Sequence, residues 1–270
     1  MYCINIVCLD LLGVFMSKIS VVIHTFNNEN IIRDCLESVK DFDEIVICDM
    51  YSTDKTLEIA KEYNAKIVMH ENIGWVEPAR NYAISQASND WVLVVDSDEK
   101  ITTDLKEYLY NFLDNPENYS AVRIPRLNCC WGKPVEVLYP DSIIRFLRKD
   151  CVNWPAIVHA TPEIKFGKIF EINPKYKNLA IIHAYTNSYK SLIGSLNKYT
   201  DFELEKLIEK NKSINFYFAI WKSFWIIVEK YFMRNGYKDG LRGLIISITA
   251  GIYKFVTYVK YFEYLEKNKD

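Results

Sequence analysis

Residues 91–98 have the sequence WVLVVDSD, and this stretch decides the fold class. Its first five residues are apolar and mostly β-branched, which predicts a strand that is buried on both faces. Similar apolar runs occupy residues 19–24, 44–48 and 65–69, and each is followed by apolar residues at helical spacing. Strands that alternate with helices predict a parallel, doubly wound, Rossmann-like sheet with helices on both faces, hence an α/β protein.

The pattern changes after residue 101. A helix is predicted at residues 105–113, strands at 121–125 and 143–147, and mostly helix from residue 188 onward. Because mostly helix is predicted at the end of the chain, we expect a C-terminal helical extension after the sheet.

Charge is distributed unevenly along the chain. The formal net charge of −2 argues against general nucleic-acid binding. Residues 211–270, however, contain ten Lys or Arg and five Asp or Glu, and are rich in aromatic residues. This composition is typical of a membrane-surface segment, and the alternative is an ordinary helical tail packed on its own domain. The longest apolar stretches, residues 217–232 and 241–262, are interrupted by charges and fall short of the ~18 uncharged residues of a spanning helix.

Cysteine usage and the N-terminus bear on the cellular compartment. The seven cysteines form no CxxC pair, which favours a reducing compartment over a disulfide framework or a structural zinc site. Residues 1–15 are apolar but short, contain Asp10 and lack a basic leader, so they make a poor signal peptide. We expect the natural start at Met16, with residues 1–15 a dispensable or misannotated extension. The alternative is a short hydrophobic anchor.

Acidic residues directly follow two of the predicted strands. Asp49 follows the second strand, and Asp96 and Asp98 follow the fourth. Ligands of such sheets bind beyond the carboxyl ends of the strands, so these side chains are expected to share one site. Carboxylate oxygens suit a hard cation such as Mg²⁺ or Mn²⁺, which would neutralise the charge that develops on a leaving diphosphate. The alternative is that Asp96-Ser97-Asp98 is an acidic triplet that arose by chance.

Two of the polar residues allow more than one role. Asp49 either accepts hydrogen bonds from a ribose or a base edge, or caps a helix. Arg80 either pairs with a phosphate group or forms a surface ion pair.

Four short motifs, taken together, resemble family 2 glycosyltransferases of the GT-A fold. They are ISVVIHTFN at residues 19–27, DMYSTDKT at 49–56, RN at 80–81 and DSDE at 96–99. The stretch YPDSIIRFLR at residues 139–148 is similar to one in a subgroup that includes the β-glucosyltransferases of lipopolysaccharide core synthesis. The same subgroup pattern is matched at residues 158–159, 182–185 and 196–199. The likeness therefore extends, in order, over nearly the whole chain.

The resemblance implies a Rossmann-like mixed sheet with helices on both faces, and it implies roles for the matching residues. It places five of them around a nucleotide-sugar donor: Thr25, Asn27, Asp49, Ser52 and Arg80. It also implies that Asp96 contacts ribose or metal and that Asp98 ligates the metal, Mg²⁺ or Mn²⁺. Inverting transfer needs a general base that deprotonates the acceptor hydroxyl. Asp141 is the first candidate for this base, with a turn-forming role as its alternative, and Glu99 is the second.

Two histidines and two departures from the family pattern also matter. His159 and His183 each either contact the metal or diphosphate, or are buried structural residues. Family members often have glycine at the positions of Tyr51 and Lys55. Because Tyr51 tolerates a positive φ poorly, we expect this loop to be shaped differently.

The resemblance and the residues together predict four segments. These are an extension at 1–15, a nucleotide-sugar-binding half at 16–120, an acceptor-binding half at 121–205, and membrane-associated amphipathic helices at 206–270. The predicted enzyme moves a sugar from a UDP donor, with inversion and metal assistance, to a cell-envelope glycolipid or oligosaccharide. We expect it in the cytoplasm, peripherally bound to the inner face of the cytoplasmic membrane, with no nucleic-acid partner.

Two other functions are weighed against this prediction. One is a catalytically degenerate carbohydrate-binding or scaffold protein of the same fold, which the substitutions at Tyr51 and Lys55 would favour. The other is a nucleotidyltransferase, which is disfavoured because residues 25–30 lack a Gly-rich signature loop with Lys or Arg.

Overall fold

The computed structural model describes residues 18–157, 160–186, 188–210 and 213–268. The expectations for residues 1–15 and for His159 lie outside these ranges. The strands are β1 (Ile19–Thr25), β2 (Glu44–Asp49), β3 (Lys66–Met69), β4 (Trp91–Asp96), β5 (Glu99–Lys100), β6 (Tyr119–Cys130), β7 (Lys133–Pro134), β8 (Asp141–Arg148), β9 (Val152–Asn153), β10 (Glu163–Ile164), β11 (Lys168–Glu171) and β12 (Ile181–Thr186). The helices are α1 (Ile32–Val39), α2 (Thr56–Glu62), α3 (Glu77–Ser85), α4 (Thr103–Asp114), α5 (Tyr189–Glu209), α6 (Phe216–Val228) and α7 (Leu241–Lys267).

A 10-stranded mixed sheet forms the centre of the molecule, with the strand order β3-β2-β1-β4-β8-β6-β12-β5 and with β7 and β11 also paired to β6. Strands β1 to β4 run parallel to one another. Strand β8 is antiparallel to both β4 and β6, and β12 is parallel to β6. The expected α/β class, with a mixed sheet, is therefore confirmed.

Helices cover both faces of the sheet because successive side chains of a strand point to opposite faces. Val21 and Ile23 of β1 pack into one apolar cluster with α1, α2 and α4, whereas Val22 packs into a second cluster with α3. All three valine and isoleucine side chains have no exposed surface. Burying each contributes about 1.5–3 kcal/mol, which explains why the strand sequence is almost continuously apolar.

The parallel register aligns the carboxyl ends of the first strands. Thr25, the last residue of β1, lies opposite Asp49 of β2, and His24 lies opposite Asp96 of β4. The turn that follows β4 leads directly into β5, which pairs with β12 at His183. Residues from the start, middle and end of the chain therefore meet at one edge of the sheet.

The C-terminal extension is confirmed as three helices, α5 to α7. A π-helical turn at Glu229–Met233 continues α6 before the chain reverses into α7. Gly251 allows α7 to lie close to α6, because a Cβ atom there would come within 2.4 Å of Ile227 Cγ1. Among the helices in the described ranges, none is long and apolar enough to cross a membrane.

The loop after β2 keeps the backbone shape that a glycine would allow, contrary to the expectation of a different shape. Tyr51 has a φ of 62°, in the left-handed region that costs a non-glycine residue about 1–2 kcal/mol. The carboxylate of Asp49 accepts hydrogen bonds from Ser52 N at 2.7 Å and from Ser52 Oγ at 2.6 Å. These contacts hold the turn and offset the cost of the Tyr51 conformation.

Candidate active site

A cleft of about 570 Å³ opens beyond the carboxyl ends of β1 and β4. This is the position at which parallel α/β sheets bind ligands. Of the residues predicted for the site, the cleft is lined by Thr25, Arg80, Asp96 and Asp98. Asn27, Asp49, Ser52, Glu99 and Asp141 do not line it, although each lies in a loop or strand that borders the cleft.

Asp96 is held between two buried arginines. Arg80 Nη2 donates to Asp96 Oδ1 at 3.1 Å, and Arg145 Nη2 pairs with Asp96 Oδ2 from the other side. Burial would raise the pKa of Asp96, but Arg145 and Arg80 outweigh this and hold that pKa far below its ordinary value. Asp96 is therefore a carboxylate at every physiological pH, and it orients two guanidinium groups at the cleft wall.

The two guanidinium groups retain donors that the described residues do not satisfy. Nε and Nη1 of Arg80 and of Arg145 are buried and make no hydrogen bond within the described ranges. The Arg80 guanidinium lies 4.5 Å from the ring centre of Trp154, which shields one of its faces. Paired arginines with free N–H groups in a cleft are a typical binding site for a phosphate or diphosphate.

His24 lies in the same cleft and carries no charge. Burial, together with the neighbouring Arg80, lowers its pKa to about 3. The imidazole is therefore neutral at physiological pH and does not add to the positive charge of the arginines.

Glu99 is an internal anchor of the charged cluster. Its side chain has no exposed surface, and Oε2 accepts a hydrogen bond from the Asp96 backbone N–H at 3.0 Å. Oε1 accepts from Arg126 Nη1 at 3.1 Å and lies 3.6 Å from Arg145 Nη2. Both carboxylate oxygens are thus occupied by groups that shape the Asp96-Ser97-Asp98 turn.

A chain of polar contacts connects Asp98 to Asp141. His183 Nε2 lies 3.5 Å from Asp98 Oδ2, and His183 Nδ1 lies 2.6 Å from Asn128 Oδ1. Asn128 Nδ2 donates to Asp141 Oδ2 at 3.0 Å, which fixes its amide oxygen toward the imidazole. His183 Nδ1 must then carry the proton, so the lone pair of neutral His183 lies on Nε2 and faces Asp98.

Asp98 and His183 fit a divalent cation as a pair. A carboxylate oxygen and an imidazole nitrogen are both accepted ligands of Mn²⁺, and Mg²⁺ accepts the carboxylate. The described ranges contain no group of three or more His, Cys, Asp or Glu that could hold a metal by themselves. A cation at this site would therefore take its remaining ligands from diphosphate oxygens and water, as Mg²⁺ commonly does.

The loops that follow β1 and β2 are joined by the side chains predicted to contact the nucleotide. Asn27 N donates to Ser52 Oγ at 2.8 Å, and Asn27 Oδ1 accepts from Thr53 N at 2.8 Å. Asp49, which holds Ser52, has no exposed surface. These residues hold the two loops that border the cleft. Their direct contact with a nucleotide stays a prediction.

Asp141 lines a smaller cavity of about 360 Å³, together with Arg126, Asn128 and His183. Its Oδ2 accepts from Arg126 Nη2 at 2.6 Å, while Oδ1 makes no hydrogen bond with the described residues. Burial would raise the pKa of Asp141, but Arg126 and Asn128 lower it more, so the pKa lies below its ordinary value. His183 lines both this cavity and the main cleft, so the two cavities adjoin at that side chain.

Sequence reasoning missed Arg126, Asn128, Arg145 and Trp154. Arg145 stands within the quoted motif at residues 139–148, but a positive residue in a strand gives no sign of which acid it contacts. Trp154 follows the short strand β9 and reaches the arginines only because the chain folds back over α3. Asn81 of α3 fixes this return by accepting from Trp154 N at 2.8 Å.

Replacing Arg145 with methionine should lower the free energy of unfolding by about 3 kcal/mol, because it leaves Asp96 and Glu99 buried with one cation fewer. This decrease in the free energy of unfolding is at the low end of the range for breaking a buried ion pair, because Arg80 and Arg126 still contact the two acids. The measurement is urea unfolding followed by circular dichroism.

The matched control is Arg148→Met on the same strand. Arg148 pairs with Asp150 at the surface, so its loss should cost at most about 1 kcal/mol. Equal shifts in the unfolding midpoint for the two variants would show that Arg145 does not hold the cluster.

Comparison with known proteins finds similarity to glycosyltransferases. Residues 20–137 match the sequence profile of Glycosyl transferase family 2. An uncharacterized glycosyltransferase of Rickettsia typhi is 27% identical, with 94% of this chain and 90% of the relative covered. The lipopolysaccharide core biosynthesis glycosyltransferase LpsC of Rhizobium meliloti is 26% identical, with 91% of this chain and 92% of the relative covered. The crystal structure of S. aureus TarS is 28% identical over 50% of this chain and 29% of that one, with a TM-score of 0.41.

Proposed function

We propose that the chain is a glycosyltransferase of family 2 type, and that it transfers a sugar, with inversion, from a UDP donor to a cell-envelope glycolipid or oligosaccharide. One observation carries the donor assignment. Arg80 and Arg145, whose buried Nε and Nη1 atoms make no hydrogen bond within the described ranges, line the same cleft as Asp98. Such a combination suits a diphosphate that is bound together with a cation.

In the proposed complex, Arg80 and Arg145 donate hydrogen bonds to diphosphate oxygens. Asp96 and Thr25, which line the same cleft, contact the ribose. Asp98 and His183 would hold Mg²⁺ or Mn²⁺. When bound, the cation supplies positive charge against the diphosphate as the leaving group departs. The carboxylate of Asp96 keeps the arginines aligned before and after the donor binds.

We propose Asp141 as the general base for the acceptor hydroxyl. Its Oδ1 is free of hydrogen bonds to the described residues, and its lowered pKa keeps it ionised at neutral pH. The acceptor oxygen would lose its proton to Asp141 as it attacks the anomeric carbon, and the bond to the diphosphate breaks on the opposite face. Glu99, the other candidate, has both oxygens engaged and no exposed surface, which supports a positioning role instead.

The proposed acceptor belongs to the cell envelope. The relative LpsC is named for lipopolysaccharide core biosynthesis, and it aligns with nearly the full chain. In this proposal the segment at 16–120 binds the donor, 121–205 faces the acceptor, and 206–270 rests on the inner face of the cytoplasmic membrane. Tyr217, Trp221 and Phe224 of α6 are 84%, 56% and 63% exposed, which suits contact with a lipid surface.

Membrane docking predicts that purified protein sediments with vesicles that contain anionic lipid, and that this binding weakens as salt is raised. Combined replacement of Trp221 and Phe224 by serine should release most of the protein, because these exposed side chains would enter the interface. Replacing the exposed Phe166, outside the helical extension, by serine is the control. If the same fraction of protein sediments with and without the vesicles, membrane docking is contradicted.

The test of the proposed function is a screen of UDP-, GDP- and dTDP-sugars with Mg²⁺ or Mn²⁺. A cognate donor at 100 times its Kd should stabilise the protein by about 2.7 kcal/mol, seen as a rise in Tm. It should also be hydrolysed slowly in a metal-dependent manner. If no nucleotide sugar stabilises the protein in the presence of either cation, the proposed function is wrong.

A further inference from the structure

A second large cavity, of about 780 Å³, lies between β12 and the helices of the C-terminal extension. It shares Asp98, His183 and Tyr199 with the donor cleft. His183 also lines the smaller cavity that contains Asp141. The three cavities therefore meet at the side chain that we propose as a cation ligand, where donor and acceptor must come together.

Part of the wall of this cavity is apolar. The apolar side chains come from α5, α6 and α7 and include Leu192, Leu196, Ile226, Ile246 and Ala250. A sugar that bound against these apolar side chains would bury hydroxyl groups there. Such binding is unfavourable because the hydroxyl groups would lose their hydrogen bonds to water. The walls suit a hydrocarbon chain instead.

Two polar groups in the cavity lack partners among the described residues. The Oγ1 atom of Thr249 is buried and makes no hydrogen bond there. The ammonium group of Lys230 likewise makes no hydrogen bond or ion pair with the described residues, and burial together with Arg234 lowers its pKa. An anionic group that bound here would satisfy Lys230 and offset its loss of hydration.

Lys230 also stands at the junction of two cavities. It lines the large apolar cavity and the smaller cavity that holds Asp141 and Arg234. A single ligand could therefore place its anionic group at Lys230, its hydrocarbon chain in the large cavity and a hydroxyl group near Asp141.

Helix α7 presents a different face to solvent. Ile246, Thr249 and Ala250 line the cavity, whereas Ile248 and Ile252 are 39% and 40% exposed. Because residues 3 and 4 apart share a helix face, these two sets lie on different sides of α7. One side of the helix contacts the cavity and the other offers apolar surface to a lipid phase.

We propose that this cavity binds the acceptor, and that the acceptor is a membrane-held amphiphile with a phosphate group. Its hydrocarbon chain lies along α5, α6 and α7, its phosphate pairs with Lys230, and its hydroxyl reaches toward Asp141 and His183. This inference rests on the proposed function, since it names the class of acceptor for the same site.

The test uses dodecyl phosphate, below its micelle concentration, as a probe for isothermal titration calorimetry with the full chain. Uncharged dodecyl maltoside and inorganic phosphate are the comparison ligands. Binding of dodecyl phosphate should be at least about 10-fold tighter than binding of either, because chain and phosphate must both be present to use the apolar walls and the charge of Lys230. UDP with Mn²⁺ is titrated in parallel as the donor-site reference.

Two variants with matched controls locate the binding. Ala250→Phe fills the cavity, and Ile248→Phe adds the same ring to the exposed side of α7. Lys230→Gln removes the cavity charge, and Lys222→Gln removes a charge from α6 outside the cavity. Dodecyl phosphate binding should weaken by at least about 10-fold in the first member of each pair and stay within about 2-fold in the second. UDP binding should be unchanged in all four.

Several results would overturn the inference and leave the donor function intact. These are absence of dodecyl phosphate binding to protein that binds UDP and Mn²⁺, equal affinity for dodecyl maltoside, or full competition by inorganic phosphate. The inference would also be overturned if the two variants of each pair bound dodecyl phosphate with equal affinity. Circular dichroism checks folding, and if Ala250→Phe does not fold, the Lys230 and Lys222 pair decides. If the wild-type chain does not bind UDP in the presence of Mn²⁺, the proposed function itself is contradicted.

Discussion

Replacing Asp98 with asparagine should strongly reduce divalent-cation-dependent sugar transfer while the fold stays intact. The side chain of Asp98 is 37% exposed, and its one ion-pair contact in the described ranges is with His183. An amide is a weaker ligand for a hard cation than a carboxylate, so diphosphate charge would be less well neutralised. We expect kcat/KM to fall by roughly 10²–10³, measured across a Mn²⁺ titration with a cognate UDP-sugar.

Asp34→Asn is the matched control, since Asp34 forms a surface pair with Lys100 and lies outside all three cavities. Its activity and Mn²⁺ dependence should equal those of the wild type. Undiminished transfer by Asp98→Asn at limiting Mn²⁺ would show that the cation, if needed, is held elsewhere.

Replacing Asp141 with asparagine should lower kcat by about 10²–10⁴, the usual effect of losing a general base. The amide oxygen that this change introduces can still accept a hydrogen bond from Arg126, so the surrounding contacts largely persist. Affinity for UDP and Mn²⁺ should not change, because Asp141 does not line the donor cleft. The measurement is steady-state transfer combined with UDP titration on the same preparation.

The pH dependence follows from the lowered pKa of Asp141. A base must be ionised, so activity governed by Asp141 is present above its pKa and is lost as the pH falls through it. Because that pKa lies below the ordinary value of about 3.9, this group should cause no loss of kcat between pH 8 and pH 5.

Glu99→Gln separates the two candidate bases. It should destabilise the protein, since Glu99 anchors Arg126 and the Asp96 backbone without exposure to solvent. If Asp141→Asn retains full kcat while a folded Glu99→Gln variant loses it, then the base is Glu99.

Local sequence pattern was enough to predict the parallel half of the sheet. Strands β1, β2 and β4 are short apolar runs that end in polar residues, and their register brings Thr25, Asp49 and Asp96 to one edge. Strand β6, by contrast, was predicted as residues 121–125 but extends over Tyr119–Cys130. Its length depends on pairing with β7, β8, β11 and β12, of which β11 and β12 are distant in sequence.

The sequence by itself determined the α/β class, the strand that precedes Asp96, and the position of Asp98 in the turn after it. Those features depend on apolar periodicity and on the direction of the strands, which neighbouring residues encode. Tertiary structure alone decided that Arg80 and Arg145 share Asp96, that Asn128 orients His183 toward Asp98, and that Glu99 is buried. Each of these depends on contacts between segments 16 to 85 residues apart, for which the residue type specifies a charge or a hydrogen bond but not its partner.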